Sequence, residues 1–134
     1  EGRRGSMIYV LLGLALGVAL GIVTPGYIPK SYGPYFSVAL MSGLDTVFGG
    51  LRAAMENRYE NTVFLSGFFV NMLVAVFFCY AGTLLNIDFY LIVILVLGMR
   101  VFNNLAIIRR LYLEEKEKEL ERKEAEAGQD PNKL

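Results

Sequence analysis

The sequence predicts an all-α, polytopic membrane bundle: four transmembrane helices, then a charged helical tail. Three observations predict it. Of the 134 residues, 54% are hydrophobic, and the mean hydropathy is +0.44. The apolar residues fall into runs of roughly bilayer length, and most charges lie between these runs or after them. Lipid offers the backbone no hydrogen-bond partners, so such runs are read as helices. The same composition argues against other classes. One Cys leaves no disulfide scaffold, and 13 basic residues against 13 acidic ones give no surplus for nucleic acid.

Residues 1–6 (EGRRGS) precede Met7 and read as a vector-derived remnant, a reading preferred to a twin-arginine signal at Arg3 and Arg4. Residues 7–113 form the expected membrane domain. Its first run, Met7–Thr24, is uncharged, and no small-x-small cleavage site follows it before Pro25. The second, Tyr35–Arg52, contains Asp45 and the pair Gly49–Gly50. At about 27 Å it is shorter than the roughly 30 Å hydrocarbon core, so it is read as a short span or a re-entrant segment. The third, Val63–Leu85, contains Asn71; the fourth, Phe89 to about Leu113, contains Arg100. Both are long enough to cross.

The connection at residues 25–34 holds three of the four prolines and reads as a stiff turn. The connection at 53–62 is polar, and Asn86–Asp88 is a tight turn. With four spans, Arg52, Arg58, Arg109 and Arg110 lie on one side, together with the tail, and only Lys30 lies on the other. The positive-inside rule then places both termini in the cytoplasm, with these arginines as anchors. Seven of the eight tyrosines fall at or just beyond run ends, where aromatic rings settle at the interface; Tyr80 is the exception.

Charges inside a span are costly and usually face protein or water. Asp45 and Arg100 lie at similar depths when their helices are counted from the same side, and Asn71 lies close to both. The expectation is an Asp45–Arg100 ion pair with Asn71 beside it. Asn103 and Asn104 join Arg100 on one helix face by the i, i+3, i+4 spacing. This buried polar layer has two readings: a lock on helix packing, which is preferred, or an ion or polar-substrate path. Gly13, Gly17 and Gly21 form a tandem GxxxG stripe for close helix approach, within the chain or between copies.

Residues 114–134 carry eight acidic and five basic residues, against four acidic and six basic in residues 7–113. The zero net charge hides a basic core and an acidic tail. Glu114–Lys118 and Glu119–Lys123 stand at helical i, i+4 spacing, so the fourth helix should continue to near Gly128 as a solvated extension. Cys79 reads as a small buried hydrophobe. Glu56 and Glu60 read as partners of Arg52 and Arg58 in a surface charge network. No catalytic set is seen, and no cofactor or metal is implied.

The segments SVALMSGLDTVFGGLRA (Ser37–Ala53), FLSGFFVNMLVA (Phe64–Ala75) and LGMRVFNNLAIIRR (Leu97–Arg110) resemble the small basic protein family of Gram-positive bacteria. The motifs that match include Asp45, Gly49, Gly50 and Arg52; then Ser66, Gly67 and Asn71; then Arg100, Asn104, Arg109 and Arg110. The likeness runs from Met7 to about Leu113, and the acidic tail departs from it. The resemblance implies an integral membrane protein of unknown biochemical function, often encoded beside cell-division and cell-wall genes. Together these readings imply a non-enzymatic, self-associating structural or adaptor component of the envelope or division machinery. The partners expected are the lipid bilayer, further copies of the chain and other membrane proteins, with no nucleic acid. The alternative is a small channel or transporter using Asp45, Asn71 and Arg100.

Overall fold

Helices account for nearly all of the chain: α1 (Gly2–Val23), α2 (Gly33–Met55), α3 (Asn61–Leu85) and α4 (Phe89–Gly128). A one-turn 3-10 segment, Lys30–Tyr32, leads into α2. The computed structural model describes the backbone of residues 2–128 and the side chains of residue 5 and residues 8–128. Glu1 and residues 129–134 lie outside the described residues, so the readings of residues 1–6 and 114–134 fall partly outside them.

The centre of the bundle is α2, which packs against α1, α3 and α4, while α3 and α4 also pack against each other. Its buried residues include Val38, Ser42, Asp45, Thr46, Leu51 and Ala54. The steps 38, 42, 45 set one face of the helix against its neighbours. One expectation needs correction here. The second run is longer than expected: α2 is a continuous helix of 23 residues, about 34 Å long, although it is not among the helices apolar enough to cross a membrane by composition. Pro34 sits in its first turn, where a missing N–H costs nothing, and Ala53, Ala54 and Met55 carry it past Arg52. Gly49 and Gly50 do not break it. Gly50 is where the Phe64 ring of α3 comes so near that an added Cβ would stand 2.6 Å from it.

Two turns share one device. At the end of α2, Asn57 is left-handed (φ 59°), Arg58 N–H reaches Ala53 O at 2.7 Å, and Asn57 N–H reaches Ala54 O at 3.2 Å. At the end of α3, Asn86 is left-handed (φ 55°), and Ile87 N–H reaches Gly82 O at 2.9 Å. Each follows a Schellman-type helix ending, with Asn where glycine is the commoner choice. Gly82 is required there, because a Cβ would lie 2.5 Å from the Ile87 carbonyl oxygen.

The apolar surface faces outward. Among the described residues, α3 and α4 are the two helices long and apolar enough to cross a membrane, yet only 11% of the most apolar stretch of each is buried. Leu73, Phe77, Leu95 and Phe102 are all exposed. The buried apolar cluster is small: Val38, Ala75, Cys79 and Leu97. The apolar part of α1, Ile8–Val23, is shorter. An added Cβ at Gly13, Gly17 or Gly21 would meet nothing within 4 Å. Gly13 and Gly17 border an open apolar groove of about 660 Å³ between α1, α2 and α3. The glycine stripe is therefore not closed by another helix of the same chain.

Candidate functional site

The site is built on the polar face of α2. Ser42, Asp45 and Thr46 are buried within two turns, and the Thr46 hydroxyl donates to Ser42 O at 3.0 Å. Asp45 lies about 18 Å along α2 from Gly33, and Arg100 about 16 Å along α4 from Phe89. Both helices start from the same end of the bundle, so these depths coincide. The two side chains meet, with Arg100 Nη2 at 3.0 Å from Asp45 Oδ2. The pair is asymmetric: the Asp45 side chain is wholly buried, and that of Arg100 is 56% exposed. The contact is an ion pair without aligned hydrogen-bond geometry, and Ser42 Oγ nearby also lacks a hydrogen-bond partner.

Asn71 joins Asp45 and Arg100 in lining a cavity of about 220 Å³, alongside Glu60 and Phe64. It forms no hydrogen bond with either charge among the described residues. Beside this cavity lies a second, of about 440 Å³, lined by Gly49, Arg52, Ala53, Arg58, Arg100, Asn103 and Asn104. Gly49, Ala53, Arg58 and Arg100 belong to both. The two differ in charge. Carboxylates line the smaller, whereas three arginines and no carboxylate line the larger.

Local structure sets each arginine. Arg52, in the last turn of α2, donates from Nη1 to Asn104 Oδ1 at 3.3 Å and from Nε to Glu56 Oε1 at 3.2 Å. Arg58 is turned back by the left-handed Asn57 and donates to the other oxygen of Glu56. The Tyr59 and Phe64 rings pack 5.6 Å apart and hold that connection on α3. Arg58, hydrogen-bonded to Glu56, is the main cause that holds the Glu56 carboxyl below its ordinary value of 4.5.

The structure thus brings Asp45, Asn71, Arg100, Asn103 and Asn104 to adjoining cavities. Asn104 is buried, while Asn103 is exposed. Arg52 and Arg58, expected as anchors and as partners of Glu56 and Glu60, both pair with Glu56 and are also part of the same cluster. Arg109 and Arg110 stay exposed and apart from it. Gly13, Gly17 and Gly21 are likewise remote from it. The sequence reading missed Ser42 and Thr46, although their i, i+4 spacing around Asp45 was visible. It also missed the Arg52–Asn104 bond, which no local pattern signals. No group of acidic, His or Cys side chains suited to a metal is found among the described residues.

Comparisons with known proteins cover the same part of the chain. The chain is 44% identical over 100 residues to the small basic protein of Bacillus subtilis strain 168, covering 75% of this chain and 83% of that one. It is 41% identical over 99 residues to an uncharacterized protein of Mycobacterium bovis, and equally to one of Mycobacterium tuberculosis, covering 72% of this chain and 82% of each. No solved structure matches. Residues 28–113, which hold α2, α3, the apolar part of α4 and every residue of both polar cavities, match the model of the protein of unknown function family DUF1290, and the chain belongs to that family.

Proposed function

We propose that the chain is a non-enzymatic, multi-pass protein of a bacterial plasma membrane, with four crossing helices and both termini in the cytoplasm. It serves as a self-associating structural or adaptor component of the envelope or division machinery. The observation that carries this reading is the inverted distribution of polarity. Large apolar side chains point outward along α1, α3 and α4, while Ser42, Asp45, Thr46 and Asn104 are buried. A soluble chain would leave that apolar exterior in water, whereas lipid covers it. The length of α2, about 34 Å, supports a full crossing. The open glycine stripe of α1 supports contact with a second copy.

Topology is tested by single cysteines in a Cys79→Ala background. Lys30→Cys and Glu117→Cys should react with an impermeant thiol reagent from opposite sides of the membrane. Labelling from one side for both would remove the four-span arrangement. The adaptor role is tested by purification of the tagged protein from its native membrane in mild detergent. Division or cell-wall membrane proteins should co-purify reproducibly; recovery of the protein alone would weigh against that role. The cavity joining Asp45, Asn71 and Arg100 favours a second reading, a small channel or transporter. That reading requires solute or ion flux into liposomes, lost on Asp45→Asn.

A further inference from the structure

We propose that the cavity lined by Arg52, Arg58, Arg100, Asn103 and Asn104 is a binding site for a phosphate group. Three guanidiniums face it and no carboxylate lines it. Glu56 holds Arg52 and Arg58 from outside the lining, and Asp45 holds Arg100 from the neighbouring cavity. A third carboxylate, Glu60, lines that neighbouring cavity, so every acidic group near the three guanidiniums lies outside this lining and the arginines present their remaining donors to it. Each guanidinium carries more N–H donors than these contacts use. The planar fork of arginine suits phosphate oxygens better than a point charge does. The Asn104 side chain, holding Arg52 through its Oδ1, keeps its NH₂ for a further acceptor.

The volume, about 440 Å³, is many times the roughly 10–15 Å³ that one water requires. Gly49 and Ala53 provide the space, since a larger side chain at either would project into the lining. The cavity runs from Arg100, midway along the apolar part of α4, to Arg52 and Arg58 at the end of α2. In the four-span arrangement that end lies at the cytoplasmic headgroup layer, where lipid phosphates sit. The lipid source of the phosphate rests on that arrangement; the phosphate chemistry does not.

The test uses the full chain in neutral detergent with two probes, dioleoyl phosphatidic acid and inorganic phosphate. Lipid retention is read by native mass spectrometry, and phosphate binding by thermal shift at constant ionic strength. Folding of each variant is checked by melting, with a thiol-reactive dye reporting exposure of the buried Cys79. Arg58→Gln and Arg52→Gln should each weaken binding roughly five- to tenfold. Arg122→Gln, in the exposed tail, should leave it unchanged. If Arg52→Gln melts early, Arg58→Gln carries the test, because that side chain is 66% exposed. Retention of the lipid without a response to inorganic phosphate assigns the site to a headgroup. A response to inorganic phosphate that also displaces the lipid assigns it to the free anion. Binding of neither probe, or equal binding by wild type, Arg58→Gln and Arg122→Gln, overturns the proposal. Intact sidedness of Lys30→Cys and Glu117→Cys in that event would leave the membrane reading standing.

Discussion

Asp45 and Arg100 form a pair whose two halves are unequally exposed, and this fixes the effect of removing either. Arg100→Gln strands a fully buried carboxylate, a change that costs about 3–5 kcal/mol in such pairs. Asp45→Asn leaves an arginine that still lines both polar cavities, and should cost about 1–2 kcal/mol. The double variant should recover most of the larger loss. Melting followed through Cys79 measures all three, and equal losses for the single variants would contradict the asymmetry. Glu56 gives a pH dependence. Its carboxyl is lowered in the folded chain, chiefly by Arg58, so it adds stability at pH values above its unfolded value. That contribution fades as pH falls from about 4.5 through the lowered value. The melting temperature of wild type should therefore drop over this acid window more than that of Glu56→Gln. Identical slopes would show that the bridge is idle, as many exposed ion pairs are.

Two of the helix ends depend on asparagine in the left-handed conformation. Asn57→Gly and Asn86→Gly should be tolerated, because glycine adopts that backbone without strain. Asn57→Val or Asn86→Val should cost about 1–2 kcal/mol. The glycines divide differently from their sequence pattern. Gly82→Ala should destabilise by about 1–3 kcal/mol, since its Cβ would strike the Ile87 carbonyl. Gly17→Ala, with open space around it, should leave the monomer unharmed and remove about 1 kcal/mol of helix penalty. Helix melting with both variants in one detergent compares them directly. These contrasts mark what was legible. The turn at Asn86–Asp88 and the extent of α3 could be read, because hydropathy changes abruptly at both. The end of α2 could not, since Ala53–Met55 look neutral and only the Asn57 backbone shows where the helix stops. The tandem GxxxG advertised close packing, but the glycines with crowded surroundings are Gly50, met by the Phe64 ring of α3, and Gly82, met by the turn that follows its own helix.

At the scale of the molecule, depth counting placed Asp45 opposite Arg100 because helices of known rise preserve register over a bilayer length. It did not reveal that Arg52 and Arg58 fold back onto the same cluster. Their approach depends on a left-handed residue and on Asn104, more than fifty positions away from Arg52 in sequence. The tail was legible from composition alone, with one change of partner: Glu114 meets Arg110 at 3.6 Å rather than Lys118, one turn earlier on the same face. Lys123 meets Glu119 at 2.8 Å as the spacing suggests. As a whole α4 is 40 residues, about 60 Å, twice the roughly 30 Å of a hydrocarbon core. Its second half therefore has no bundle to rest on, and residues 112–128 are all exposed. Surface ion pairs of this kind add only a few tenths of a kcal/mol each, and a free helix of this length is marginal in water. The tail helix is thus sustained by growing from the apolar first half of α4, which is already packed in the bundle. Leu113→Pro should uncouple the two. The tail should lose its helical circular dichroism, while the Cys79-reported melting of the bundle stays within about 0.5 kcal/mol of wild type. A matching loss of bundle stability would show that the tail folds back onto the core instead of projecting from it.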